Sequence, residues 1–162
     1  MTTGNILKTW AALVAMALPS MTFATDGASD TAARDVWLAD RTRIFDAADI
    51  SLGEFKWVAR PVVVFADSAL DPAFREQIDL LTARPEELVA RDVVIITDTD
   101  PDARSDLRTK LRPRGFMLTL ISKDGNVNLR KPFPWDVREL TRSIDKMPIR
   151  KQEIRDANRG GR

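Results

Sequence analysis

Two short runs of apolar, mostly β-branched residues lie in the middle of this chain, at residues 61–66 (PVVVFA) and 93–96 (VVII). Uninterrupted runs of this kind are typical of strands that are buried on both faces of a sheet. Between the two runs, Phe74, Ile78 and Leu81 recur at the spacing of one helix face, which predicts an amphipathic helix. A strand, a helix and a second strand in this order predict a parallel, right-handed crossover.

The second half of the chain predicts a short helix, a hairpin and a closing helix. The short helix is predicted over residues 102–111, and a third buried strand over residues 116–122 (FMLTLIS). Residues 123–126 (KDGN) contain the Asp-Gly pair that favours a tight hairpin, and alternation after it indicates a half-exposed fourth strand. The closing amphipathic helix is predicted over residues 135–147. The pattern therefore predicts an α/β domain with the element order β-α-β-α-β-β-α.

The first 24 residues have the pattern of a secretory signal peptide. Lys8 supplies a positive charge, residues 9–18 (TWAALVAMAL) form a short apolar run, and residues 22–24 (TFA) supply the small residues of a cleavage site. An uncleaved anchor or a buried helix is the alternative interpretation. The signal predicts a periplasmic or secreted protein. Because no cysteine follows the apolar run, no stable membrane anchor is expected after cleavage.

Charge and hydrophobic patterns divide the rest of the chain into three parts. Residues 25–50 predict an N-terminal extension that is partly disordered, with a weak helix over residues 32–49. Residues 51–148 contain the predicted domain, and residues 149–162 predict a basic C-terminal tail with five basic and two acidic residues. Loss of Lys8 with the signal peptide leaves 24 basic against 24 acidic residues, so a nucleic-acid partner is not expected.

The amino-acid composition excludes several classes of catalytic and metal-binding site. The 162 residues include no cysteine and no histidine. Thiolate nucleophiles, disulfide exchange, histidine-based triads and imidazole metal ligands are therefore excluded. We expect no thiol redox activity, and we assign no catalytic residue, no cofactor and no metal ligand. A magnesium or calcium site built from oxygen ligands alone stays open.

The predicted element order resembles the core of the thioredoxin fold. Residues 57–153 are similar to a family of mostly exported, peroxiredoxin-like bacterial domains of unknown function, which also occurs in vertebrate sushi-repeat matrix proteins. The stretches that carry this similarity are residues 63–66 (VVFA), 120–125 (LISKDG) and, most specifically, 144–153 (IDKMPIRKQE). The resemblance implies a thioredoxin-like, four-stranded mixed sheet flanked by helices, with the last two strands antiparallel to the first two. It implies no activity.

The same resemblance locates the positions at which related enzymes carry reactive sulfur. In this chain those positions fall near Ala69, Pro72 and Phe74, and none of them is cysteine. Residues 114–116 (RGF) are similar to the Arg-Gly-x-Phe stretch of peroxiredoxins, whose arginine supports the reactive sulfur. The resemblance thus implies the scaffold of a thiol enzyme without its thiol.

The loop after the first buried strand is the main candidate for a binding site. Asp67 and Ser68 lie there, and open α/β sheets tend to bind ligands at the carboxyl ends of their strands. We expect Arg114 to offer a planar cation from the other side. Ordinary loop polarity is the alternative explanation for Asp67 and Ser68, and the basic tail is the alternative place for a partner to bind.

Asp98 and Asp100, which follow the second buried strand, support a second hypothesis. They resemble the first motif of haloacid-dehalogenase-type phosphatases, in which one Asp attacks phosphorus and the pair binds magnesium. Together with Asp102 they also resemble a calcium loop, although a polar turn between strand and helix is the simpler interpretation. Two classes of function are left open. One is a non-catalytic binding or accessory module for a protein or small ligand; the other is a cysteine-independent enzyme, such as a magnesium-dependent hydrolase.

Overall fold

The computed structural model of the chain describes residues 32–160, which belong to one compact unit. The predicted signal peptide at residues 1–24, and the disorder predicted for residues 25–31, lie outside the described residues. Within residues 32–160, five strands form one sheet in the order β1-β3-β2-β4-β5. The strands are β1 (Ile44–Asp46), β2 (Arg60–Phe65), β3 (Val93–Asp98), β4 (Met117–Ile121) and β5 (Val127–Lys131).

The strand directions establish a thioredoxin-like sheet. Strands β1 and β2 both pair with β3 in parallel, β4 pairs with β2 antiparallel, and β5 pairs with β4 antiparallel. The α/β class and the mixed sheet flanked by helices are confirmed. The expectation that the last two strands both run antiparallel to β2 and β3 was wrong. Strand β5 is the hairpin partner of β4 and runs opposite to it, so β5 has the same direction as β2 and only β4 is antiparallel to β2.

Helices cover both faces of the sheet, and strand alternation sends side chains to each face in turn. Val63 and Phe65 of β2 point into one core, and Val62 and Val64 point into the other. The helices are α1 (Ala33–Ala39), a 3-10 helix (Leu52–Phe55), α2 (Pro72–Thr82), α3 (Pro85–Val89), α4 (Asp106–Leu111), α5 (Val137–Asp145) and α6 (Pro148–Gly160). The first core is closed by α1, the 3-10 helix and α4, and the second by α2, α3 and α5. Among residues 32–160, no helix is both long and apolar enough to cross a bilayer.

The prediction of four strands was wrong, because the segment predicted as a weak helix over residues 32–49 contains the fifth. Helix α1 ends at Ala39, and Phe45 in β1 pairs with Ile96 at the open edge of β3. Phe45 also packs edge-on against Phe55, with ring centroids 5.9 Å apart. These partners are distant in sequence, so a local periodicity does not reveal a three-residue edge strand.

Candidate functional site

Three loops meet at one end of the strands, where β2 and β3 end and β4 begins. They are residues 66–71 after β2, residues 99–105 after β3 and residues 112–116 before β4, and we call them together the C-terminal edge. Ligands of open α/β sheets bind at the carboxyl ends of the strands. The C-terminal edge is also where the three predicted binding residues lie.

A buried ion pair holds the C-terminal edge together. Asp98, at the end of β3, is 3% exposed, and its Oδ1 accepts hydrogen bonds from Nε and Nη2 of Arg108 at 2.9 and 2.7 Å. Its other oxygen accepts a hydrogen bond from the hydroxyl of Ser105, the residue that caps α4. Arg108 also donates to the backbone carbonyl of Ala66 at 2.8 Å. One guanidinium thus joins the ends of β2 and β3 to α4.

The surroundings of Asp98 do not suit the phosphatase and calcium-loop hypotheses. A nucleophile or a metal ligand must be reachable from the solvent, whereas Asp98 is 3% exposed and its oxygens accept hydrogen bonds from Ser105 and Arg108 inside the protein. Asp100 accepts the backbone N–H groups of Asp102 and Ala103, at 3.0 and 3.2 Å, as in an ordinary turn. In the described part of the chain, no group of three or more carboxylates is placed to hold a metal ion.

The structure brings the two loops that carry the predicted binding residues side by side. A methyl group added at Gly115 would lie 3.9 Å from Oδ2 of Asp67. The loop that carries Arg114, the residue before Gly115, therefore passes next to Asp67. Gly115 has a φ of +63°, a conformation that favours glycine, and the loop therefore turns at this residue. Oδ1 of Asp67 is 3.6 Å from Nη1 of Arg108, which points this carboxylate toward the buried pair.

The exposed groups of the C-terminal edge differ in chemistry. The side chain of Asp67 is 66% exposed and offers acceptor oxygens, and Arg114 is exposed and offers donors. The hydroxyl of Ser68 accepts the N–H of Leu70 at 3.1 Å, so part of its capacity is used within the loop. Leu70 itself is 74% exposed. An acceptor, a donor and an apolar side chain exposed on the same edge are suited to recognising a surface.

A second concentration of charge lies at the opposite edge of the sheet, and sequence reasoning missed it. Arg60, the first residue of β2, is fully buried; its Nη2 donates to Oε1 of Glu153 at 2.8 Å and its Nη1 to the carbonyl of Arg91 at 2.7 Å. Lys123 bridges two carboxylates, with its Nζ 2.7 Å from Asp92 and 2.9 Å from Glu153. The turn of the hairpin and the start of α6 are thereby joined to the start of β2.

Three further arginines extend this cluster, and two of them reach the junction of α5 and α6. Arg91 donates to both oxygens of Asp145 at 2.9 and 2.8 Å. Arg150 lies 3.3 Å from Glu153 and donates to the carbonyl of Ala90 at 3.1 Å. Arg41 donates to Asp92 at 2.9 Å. We call the whole set the charge cluster; its members are Arg41, Arg60, Arg91, Asp92, Lys123, Asp145, Arg150 and Glu153.

The segment predicted as a basic C-terminal tail, residues 149–162, is tied to the domain by the charge cluster. Its residues 149–160 belong to helix α6, and Arg150 and Glu153 in the first turns of this helix contact Ala90 and Arg60. The available signal was the motif at residues 144–153, whose charged residues supply three members of the cluster. Only the part of α6 after Glu153 is exposed along its whole length.

The carboxylates of the charge cluster are held in their charged form. Burial acts to raise the pKa of Asp92, but hydrogen bonds and charges from Lys123 and Arg41 outweigh it and bring the pKa below its usual value. The pKa of Glu153 is lowered by the same balance, with Lys123 and Arg60 as the partners. Hydrogen bonds from Arg91 lower the pKa of Asp145.

These lowered pKa values predict that acid weakens the fold. A carboxylate whose pKa is lower in the folded state stabilises that state above the ordinary value, and the stabilisation is lost as pH falls through the folded pKa. The ordinary values are 3.8 for Asp and 4.5 for Glu. We expect the urea midpoint to be level between pH 7 and pH 6 and to fall steeply below about pH 4. In Glu153→Gln the fall should be shallower; an equal slope in both proteins would contradict this role.

Comparison with known proteins identifies the family. A model described as domain of unknown function DUF4174 matches residues 51–153, which is more than half of the chain. The chain belongs to this family. The DUF4174 match begins at Ser51, which caps the 3-10 helix, and ends at Glu153, the partner of buried Arg60. Strand β1 precedes the matched residues, so the fifth strand lies outside the DUF4174 match.

No curated protein matches this DUF4174 chain. Among solved structures, the mitochondrial 2-Cys peroxiredoxin from Plasmodium falciparum is similar, at 16% sequence identity and a TM-score of 0.45, over 59% of this chain and 79% of that one.

Proposed function

We propose that this protein is an exported, non-catalytic binding module that holds a partner at its C-terminal edge. The observation that supports this most is the closed pair of Asp98 and Arg108 at the end of β3, with the exposed Asp67, Leu70 and Arg114 around it. The pair links the ends of β2 and β3 to α4, and it keeps the carboxylate of Asp98 buried and away from any substrate in solution. The exposed groups are suited to contact with another surface.

Export is the second part of the proposal. It is supported by the charged start, the short apolar run and the small residues before Thr25, and by the resemblance to exported bacterial domains. The intact mass of the protein recovered outside the cytoplasm is expected to correspond to a chain that begins at or near Thr25. Recovery of the full-length chain from the cytosol alone would contradict export.

The binding proposal is tested by affinity capture with the exported form as bait, at low and raised salt. We expect a partner that stays bound at raised salt, because the C-terminal edge combines an apolar residue with a donor and an acceptor. Arg114→Ala should weaken its binding about tenfold or more, since one hydrogen bond to a charged group is lost. Arg159→Ala, which removes another exposed arginine, on α6, is the matched control and should leave the affinity unchanged.

The competing site, the exposed end of α6, is tested by shortening the chain. The shortened protein should end at Ile154, because truncation at Pro148 would also remove Glu153 and leave buried Arg60 without its carboxylate partner. A chain ending at Ile154 keeps the charge cluster and loses Arg155, Arg159 and Arg162. If it loses the partner while Arg114→Ala keeps it, the C-terminal edge is not the binding site.

A further inference from the structure

An apolar groove opens on the face of the sheet that α2 and α3 cover only in part. Its volume is about 310 Å³, at the lower end of the range for small-molecule pockets. Side chains of the second core form its floor, and the ends of α2 and α3 form one wall. The residues that line it are apolar apart from Arg41, Thr42 and Thr82; the apolar ones are Leu81, Pro85, Leu88, Val89, Val93 and Ile95.

The groove follows from the added strand. Strand β1, which is three residues long, widens the sheet by one strand and brings Ile44 beside Ile95. Helix α3, on the same face, is only five residues long. The sheet is therefore wider than the helices that cover this face, and a groove is left beside β3, with Val93 and Ile95 at its floor 2% and 8% exposed.

One charged side chain lies among the described residues that line the groove, and it is a cation. Arg41 stacks on the ring of Trp37, with its guanidinium carbon 4.0 Å from the ring centroid, and its Nη1 donates to Asp92 at 2.9 Å. The contact with Asp92 uses one of the five N–H donors of the guanidinium. Asp92 is also paired with Lys123, at 2.7 Å. The stacked Arg41 is thus held in place while donors remain for an anion.

We propose that the groove binds a small carboxylate amphiphile, with its alkyl chain on the floor and its carboxylate on Arg41. The volume suits one alkyl chain, and the arginine that lines the groove matches the charge and shape of a carboxylate. No acidic residue lines the groove, and the neighbouring Asp92 is paired with both Arg41 and Lys123. This site lies away from the C-terminal edge and is independent of the function proposed above. The occupant is a free monomeric amphiphile, not the surface of a lipid bilayer.

Titration calorimetry with hexanoate, octanoate and decanoate below their micelle concentrations tests the proposal. We expect binding of one molecule per chain, with an affinity that rises about fourfold for each added methylene group until the groove is full. Vesicles of phosphatidylglycerol are the comparison arm and should not bind.

Two pairs of variants locate the binding. Arg41→Gln should weaken decanoate about tenfold and leave decanol unchanged, which also shows that the groove is intact. Arg43→Gln removes a charge two residues away, beside the ring of Phe45 on the other face, and should change neither ligand. Thr82→Trp should block both ligands, whereas Ala83→Trp, on the outer side of the helix end, should block neither.

The proposal is overturned by any of four results. They are no saturable binding at any chain length, equal decanoate affinity in Arg41→Gln, binding to vesicles but not to monomers, and a dimer of this chain that Thr82→Trp dissociates. The last result would mean that a second copy of the chain occupies the groove.

Discussion

Asp98→Ala is expected to lower the free energy of unfolding by about 3–5 kcal/mol. The substitution leaves Arg108, whose side chain is 11% exposed, without the carboxylate that accepts two of its hydrogen bonds. A buried cation without a partner destabilises a fold more strongly than the intact pair stabilises it. Ser105 also loses its acceptor, so the start of α4 should loosen as well.

Urea unfolding followed by circular dichroism measures this effect. Asp102→Ala is the matched control, because Asp102 is an exposed carboxylate in the loop after the same strand; its effect should stay within about 0.5 kcal/mol. Arg108→Met combined with Asp98→Leu should recover part of the stability, since two apolar residues leave no unpaired buried charge. If Asp98→Ala were as stable as Asp102→Ala, the buried pair would not hold the C-terminal edge together.

Glu153→Ala is the second substitution with a large expected effect, about 3 kcal/mol of lost unfolding free energy. Glu153 accepts one hydrogen bond from fully buried Arg60, at 2.8 Å, and pairs with Lys123 at 2.9 Å. Without it, Arg60 keeps the carbonyl of Arg91 and a carboxylate oxygen of Asp92 at 4.0 Å. The first turns of α6 should then detach, because Glu153 is their main link to β2.

Hydrogen exchange separates this local effect from general loss of stability. In Glu153→Ala, amide protection should fall most in residues 149–153 and much less in the central strands. Asp156→Ala, in the exposed part of the same helix, should leave both the protection and the urea midpoint nearly unchanged. Unchanged protection of α6 in Glu153→Ala would mean that the charge cluster does not hold this helix.

The central elements of the fold were predictable because their patterns are local. The apolar runs at residues 61–66 and 93–96 became the buried strands β2 and β3, and the Asp-Gly turn became the hairpin of β4 and β5. Each of these patterns is enough by itself to predict a buried strand or a tight turn. The sequence of β1 carries no such pattern, because its three residues adopt their conformation through pairing with β3.

The candidate site was predictable in position but not in its contacts. The carboxyl end of β2 follows from the strand pattern, so Asp67 and Ser68 could be placed at an edge of the sheet. The pairing of Asp98 with Arg108 could not be predicted, because it depends on how α4 packs after a loop without regular secondary structure. The same pair of residues 98 and 100 that resembles a phosphatase motif is therefore a buried anchor and a turn cap.

The motif at residues 144–153 shows the opposite case. Its specificity was visible in the sequence, but its reason was not. Asp145, Arg150 and Glu153 contact partners in two other parts of the chain, at Ala90 and Arg91 and at Arg60. Only the folded structure brings these groups together, and the motif then has a structural explanation in the charge cluster.

Site-specific photo-crosslinking tests the central claim most directly, because it reports which surface the partner touches. A photoreactive residue is placed at Leu70 on the C-terminal edge or at Ile154 on α6, which are both exposed apolar positions. The binding-module account predicts a crosslinked partner from position 70 and none from position 154, in cells that export the protein. A crosslink from position 154 alone, or from neither position, would contradict it.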